Sequence, residues 1–169
     1  EYATASYGQG IAMSAVSITR ALSTLANGGK LVNPHIVEKI VNDETGEIVK
    51  NISEEKIKNQ KQIFQRETTE EVTKILVNAV DEALLGGSAA MKNYSIAAKT
   101  GTAQIAKTSD AGYYDDRTLH SFFGYFPAHD PKFIIFIYQI EPKNARYASD
   151  TLVDPLMNKK SELSTVITE

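Results

Sequence analysis

The sequence predicts an α+β domain in which an antiparallel sheet carries helices on both faces. Three observations lead there. Residues 14–27 and 68–84 space their apolar side chains as helices do. Residues 96–104 form a strand-like run rich in small and β-branched residues. Two further strand-like runs, 121–126 and 132–141, flank the turn-forming segment Pro127-Ala128-His129-Asp130-Pro131. At 169 residues, 42% of them apolar, the chain has the size of one ordinary domain and enough apolar surface for a core.

In the first helix Ala15, Ile18, Leu22 and Leu25 recur three or four apart, Ser14 can cap the N-terminus, and Gly28 or Gly29 stops it. Residues 34–51 read as a hairpin, with Ile36, Ile40, Ile48 and Val49 in two short strands around Asn42-Asp43-Glu44-Thr45-Gly46. Only scaffold is visible there. From 53 to 65 the chain is polar and without a clear period. The next helix is the clearest: Val72, Ile75, Leu76, Ala79, Val80, Ala83 and Leu84 make one stripe, Thr68 and Glu71 a capping box, and Gly86-Gly87 the stop. Its acidic residues Glu70, Glu71, Asp81 and Glu82 read as solvent-facing charge.

The strand at 96–104 contains Lys99-Thr100-Gly101-Thr102. A glycine inside a strand marks close approach of a ligand or another backbone, and the lysine sets a charge beside that gap. Period-2 alternation puts Thr100 and Thr102 on one face, where both hydroxyls can meet one anionic group, and starts Lys99 on the other. Residues 105–119 read as a mobile polar loop carrying Tyr113, Tyr114, Asp115, Asp116 and Arg117; a lid over the strand is the sharper alternative. The run Phe133-Ile134-Ile135-Phe136-Ile137-Tyr138 is apolar on both faces and predicts a strand in the middle of a covered sheet. Residues 150–163 predict a C-terminal helix, kinked at Pro155, with Leu152, Val153, Leu156 and Met157 facing inward.

Composition excludes several classes. A net charge of -3 and an isoelectric point near 5.7 argue against nucleic-acid binding, and Lys56, Lys58 and Lys61 are interrupted by Glu54 and Glu55 as on a solvated face. Without cysteine there are no disulfides or thiolate metal sites. His35, His120 and His129 do not share metal-ligand spacing. No signal peptide and no apolar run long enough to span a bilayer occurs.

Lys99-Thr100-Gly101 matches one of three motifs shared by penicillin-binding proteins and class A β-lactamases, the others being Ser-x-x-K and Ser-x-Asn. Further stretches follow in the family's order: Ala5-Ser6-Tyr7-Gly8-Gln9-Gly10-Ile11, then Leu25-Ala26-Asn27-Gly28-Gly29-Lys30-Leu31-Val32 with Pro34-His35, then 99–104, and finally His120-Ser121-Phe122-Phe123-Gly124-Tyr125-Phe126-Pro127-Ala128. In these, nearly along its whole length, the chain resembles the C-terminal part of the transpeptidase domain of class B penicillin-binding proteins.

The resemblance implies a function. Lys99 would hold positive potential at a substrate carboxylate, and Thr100 and Thr102 would bind that carboxylate. The Thr102 N–H would be one oxyanion-hole donor, and Gly101 would let the acyl donor pair with the strand edge. The implied reaction is serine acyl transfer on the D-Ala-D-Ala end of a peptidoglycan stem peptide, with β-lactams trapped in the same step and no cofactor. The implied setting is the extracytoplasmic face of a bacterial membrane, reached through an N-terminal anchor missing here, among other cell-wall synthesis proteins.

Residues 1–169 would then be the C-terminal portion of one transpeptidase domain, and two further sheet strands and the nucleophile helix would come from sequence upstream. The chain has no Ser-x-Asn, since neither Ser109-Asp110-Ala111 nor Ser149-Asp150-Thr151 ends in Asn. Ser53-Glu54-Glu55-Lys56 matches Ser-x-x-K in form, but it is flanked by charge, reads as exposed, and stands too close to Lys99 in sequence. The expectation is a polypeptide inactive alone and prone to self-association through unpaired edges. A non-catalytic scaffold or partner-binding module, and a β-lactamase or β-lactam sensor of the same fold, are the alternatives.

Overall fold

In the computed structural model, which describes residues 5, 6, 8, 10–108 and 111–143, the chain forms two units, Ser14–Thr73 and Lys74–Glu169 with Glu1–Met13. The first begins with α1 (Ala15–Ala26), where Ser14 Oγ accepts from the Ser17 N–H at 3.2 Å, as its cap position predicts. Ala15, Ile18, Leu22 and Leu25 are half-buried. Gly28 and Gly29 end the helix in left-handed conformations, φ +71° and +88°. Gly29 is required twice over, because an added Cβ would overlap the Phe64 carbonyl.

After β1 (Lys30–Leu31) comes the hairpin of β2 (Lys39–Val41) and β3 (Ile48–Asn51), its turn fixed by Asn42 Oδ1, which accepts from the N–H groups of Glu44 and Thr45. Ile36 lies outside these strands and is fully exposed. The stretch read as aperiodic contains a helix, α2 (Ile52–Lys58), followed by β4 (Lys61–Gln62), which pairs antiparallel with β1. End chemistry makes α2 rather than an apolar stripe: Asn51 Oδ1 caps the Glu54 N–H at 3.1 Å, Glu54 and Glu55 sit in the first turn, and Lys56 and Lys58 sit in the last. Lys58 pairs with Glu54 and Lys50 with Glu55 on the solvated face.

The next helix, α3 (Arg66–Asn78), starts two residues before Thr68, so Thr68 and Glu71 lie inside the helix rather than at its N-cap. Its buried line is Thr69, Thr73, Val77 and Val80, rotated from the expected stripe, and Ile75 is 66% exposed. The threonines fit because each turns its hydroxyl back to the preceding turn, Thr73 Oγ1 donating to the Thr69 carbonyl at 2.8 Å. Beyond Asn78 the helix widens into a π-helical turn (Ala79–Ala83) and tightens into a 3-10 turn (Leu84–Gly87), in which Leu85 is left-handed at φ 52°.

The sheet of the second unit has β5 (Ala97–Ala106), β6 (Tyr113–Phe126) and β7 (Phe133–Ile140), antiparallel and in the order β5-β6-β7. Val80, Ala89, Ala98 and Phe122 form its core cluster, joined by Leu84, Leu85, Ile96 and Ile137, so the wound helical segment covers one sheet face.

Two expectations differ from what the described residues display. Most of 105–119 is strand, because β5 and β6 run on as a long hairpin closed by the Lys107 N–H on the Gly112 carbonyl; only a short connector is left for a loop or lid. And among the described residues β7 pairs only with β6, which holds the centre, and Phe133, Ile134, Ile135, Tyr138 and Ile140 are exposed. Apolar composition reports what a strand can tolerate, while pairing decides where it sits. The expected C-terminal helix at 150–163 lies outside the described residues, as do Tyr7, Gln9, Ser109, Asp110, Ser149 and Asp150.

Candidate functional site

β5 is anchored at its start by buried Ala97 and Ala98 and emerges from the core at Lys99. Lys99 and Thr102 are exposed, and Thr100 and Gly101 are half-buried. Across the ladder Lys99 stands opposite Phe123, Thr100 opposite Phe122, Gly101 opposite Ser121 and Thr102 opposite His120. Among the described residues nothing pairs with the other side of β5. All four candidate residues therefore lie along one open sheet edge.

The ammonium of Lys99 reaches that edge. Its Nζ donates to the carbonyl of Thr100 at 2.7 Å. On the next peptide, Ser121 Oγ donates from β6 to the Gly101 carbonyl in a long contact of 3.5 Å, so that carbonyl faces β6. Successive carbonyls of a strand point in opposite directions, and the N–H of a trans peptide points opposite to its C=O. The Thr100 carbonyl and the Thr102 N–H therefore both face the open edge, with the Lys99 charge beside them. Strict alternation places the Lys99 Cβ on the face opposite the two threonines, and its flexible stem removes that separation. Among the described residues no carboxylate pairs with Lys99.

A pocket of about 290 Å³ adjoins the strand, walled by Ala83, Leu84 and Leu85 on the helical side and by Ala98, Lys99 and Thr100 on the other. The π-helical turn and the left-handed Leu85 shape this wall. Further along the hairpin, Arg117 forms an ion pair with Glu141 at the end of β7, and its guanidinium lies 4.3 Å from the Tyr114 ring centroid. The hydrogen bond to Glu141 raises the Arg117 pKa above its ordinary value. This cluster ties β6 to the residue that follows β7. His120, opposite Thr102, is fully buried, its Nε2 3.4 Å from Thr118 Oγ1.

Ser53 and Lys56 are half-buried rather than exposed. Ser53 Oγ lies 2.9 Å from His35 Nε2, and His35 Nδ1 lies 3.0 Å from the Asn33 carbonyl. The Ser53 N–H donates to the Glu38 carbonyl and the Glu54 N–H to Asn51, so neither amide is available to an oxyanion. The contact ties the 33–38 segment to α2. Among the described residues no group of three or more His, Asp or Glu side chains is placed to hold a metal, and no helix is long and apolar enough to cross a membrane.

Sequence reasoning gave no role to Ser121 or Leu85. The only signal for Ser121 was the glycine opposite it, which acquires that meaning once the register is known.

Residues 1–161 match the family model described as the penicillin binding protein transpeptidase domain. The chain is 31% identical over 157 residues to stage V sporulation protein D of Bacillus subtilis, covering 93% of this chain and 23% of that protein. To the peptidoglycan D,D-transpeptidase FtsI homolog of Nephroselmis olivacea it is 27% identical, covering 96% of this chain and 30% of the relative. It thus spans less than a third of either curated relative. Among solved structures, penicillin binding protein 3 of Mycobacterium tuberculosis, complexed with aztreonam, superposes with a TM-score of 0.73 at 23% identity, covering 95% of this chain and 38% of that one. The α+β architecture is therefore that of penicillin-binding transpeptidase domains. Matched over nearly its whole length, the chain belongs to the penicillin-binding protein transpeptidase domain family.

Proposed function

We propose that this chain supplies the substrate-gripping strand of a serine D,D-transpeptidase that cross-links peptidoglycan. In this reading, residues 1–169 are the C-terminal portion of the transpeptidase domain. Lys99 and the hydroxyls of Thr100 and Thr102 hold the substrate's terminal carboxylate, and the peptide lies along β5 at Gly101. The Thr102 N–H stabilises the oxyanion that forms when a serine from sequence outside this chain attacks the D-Ala-D-Ala bond. D-Ala leaves, and an amine of a neighbouring stem peptide resolves the acyl-enzyme. The solved relative that carries aztreonam supports β-lactams as ligands of the same cleft.

One observation carries the reading: an open strand edge on which the ammonium of Lys99, the carbonyl of Thr100 and the N–H of Thr102 face the same way. Two donors and an acceptor so placed are what an extended peptide with an anionic end requires. The outer edge of β7 takes the two further sheet strands in this proposal, and its exposed Phe133 and Ile140 fit a surface completed by other sequence. The setting is the outer face of the cell membrane, and the partners are the stem peptide and other wall-synthesis proteins.

The test is labelling by a fluorescent penicillin. The full-length protein is expected to form a covalent adduct that Lys99→Ala abolishes, and the 169-residue chain is expected to form none. An adduct on Ser53 or any other serine of the isolated chain overturns the assignment of the nucleophile. Full labelling of the Lys99→Ala protein overturns the role of the strand.

A further inference from the structure

We infer that Ser121 is a positioning residue for the oxyanion donor: its hydroxyl holds the Gly101–Thr102 peptide so that the Thr102 N–H is aimed at the open edge. This rests on the reading of that N–H as an oxyanion donor. The carbonyl of Gly101 and the N–H of Thr102 belong to one planar unit, so whatever fixes the carbonyl fixes the donor. Ser121 Oγ reaches that carbonyl from β6 at 3.5 Å. It also sits 2.7 Å from where a Cβ on residue 101 would be, so hydroxyl and glycine occupy one another's space.

The pair explains features that the substrate alone does not. A glycine at 101 leaves room for an acyl donor, but it is also the residue with the least backbone restraint, and oxyanion stabilisation demands a fixed donor. The β5–β6 ladder restrains this peptide through the Gly101–Ser121 pair, and the Ser121 hydroxyl adds a side-chain contact to the same carbonyl. Ser121 is half-buried on β6, on the paired side of β5 rather than at its open edge, so it acts through the peptide and does not touch substrate.

The test uses the full-length protein and a time course of acylation by fluorescent penicillin at several concentrations, which separates noncovalent binding from the acylation step. Ser121→Ala is expected to slow acylation about tenfold, a part of the roughly 100-fold to 1,000-fold lost when an oxyanion donor is removed outright, while noncovalent binding stays within about twofold. Ser121→Thr, which keeps the hydroxyl, is expected to restore the rate. An unchanged acylation rate in Ser121→Ala overturns the proposal and leaves the transpeptidase reading intact. Loss of binding and rate together in both variants assigns Ser121 to scaffolding and overturns it as well. If the wild-type protein is never acylated, the transpeptidase reading itself fails, and this inference fails with it.

Discussion

The two outer strands of the sheet, β5 and β7, share a partner and differ in everything they present to solvent. β5 begins in the core and then shows Lys99, Thr102 and Gln104 outward, polar groups that can meet a polar ligand and that discourage a second sheet from adding on. β7 carries no charge from Phe133 to Ile140, and five of its large side chains are exposed. An open edge with a charge and hydrogen-bonding side chains fits a reversible guest. An open edge of bare apolar residues fits a permanent neighbour. In the proposed function the three strands described would offer a substrate edge at β5 and an assembly edge at β7, separated by β6.

That contrast can be broken at several points. The largest effect is expected at Lys99, where Lys99→Ala in the full-length protein should slow penicillin acylation by roughly a thousandfold, as loss of a preorganised charge facing substrate does. A mere twofold loss would make β5 an ordinary edge. Next comes Gly101→Val, whose branched side chain would run into Ser121 Oγ; overpacking of this kind costs about 2 kcal/mol in a denaturant melt. Adding Ser121→Ala should recover part of that loss, and additivity of the two changes would show that the residues do not compete for space.

At β7 the expected effects are smaller. Ile135→Lys, which sets a charge on an exposed position of the apolar strand, should weaken self-association of the isolated chain about tenfold in sedimentation experiments. Association that ignores this change would have to use another surface. Smallest of all, Lys99→Ala should alter thermal stability by less than about 0.5 kcal/mol, because Lys99 is exposed and has no carboxylate partner among the described residues. A large loss there would give Lys99 a structural role that β5 does not display.

Much of the local structure was legible beforehand. Ser14 and the glycine pair bracket α1 because caps and left-handed turns are decided by residues a few positions apart. β5 and the paired β2 and β3 follow from composition and turn chemistry in the same way. The shorter α2 was missed because Asn51 and flanking charges make it, with too few apolar side chains to show a period. The arms of the β5–β6 hairpin were missed because Asp115, Asp116 and Arg117 look like loop, and cross-strand pairing outweighs that preference.

The sequence by itself determined α1, the long helix after residue 65, the start of β5, the paired β2 and β3, and the four residues Lys99, Thr100, Gly101 and Thr102 on which the candidate site is built. Tertiary structure alone decided that among the described residues nothing pairs with the far sides of β5 and β7, that the Lys99 ammonium comes round to the Thr100 carbonyl, and that Ser121 faces Gly101. The reason is one of range. Propensity and periodicity act over a few residues, whereas strand order and register are set by contacts between segments far apart in the chain, and an edge is defined by what fails to pair with it.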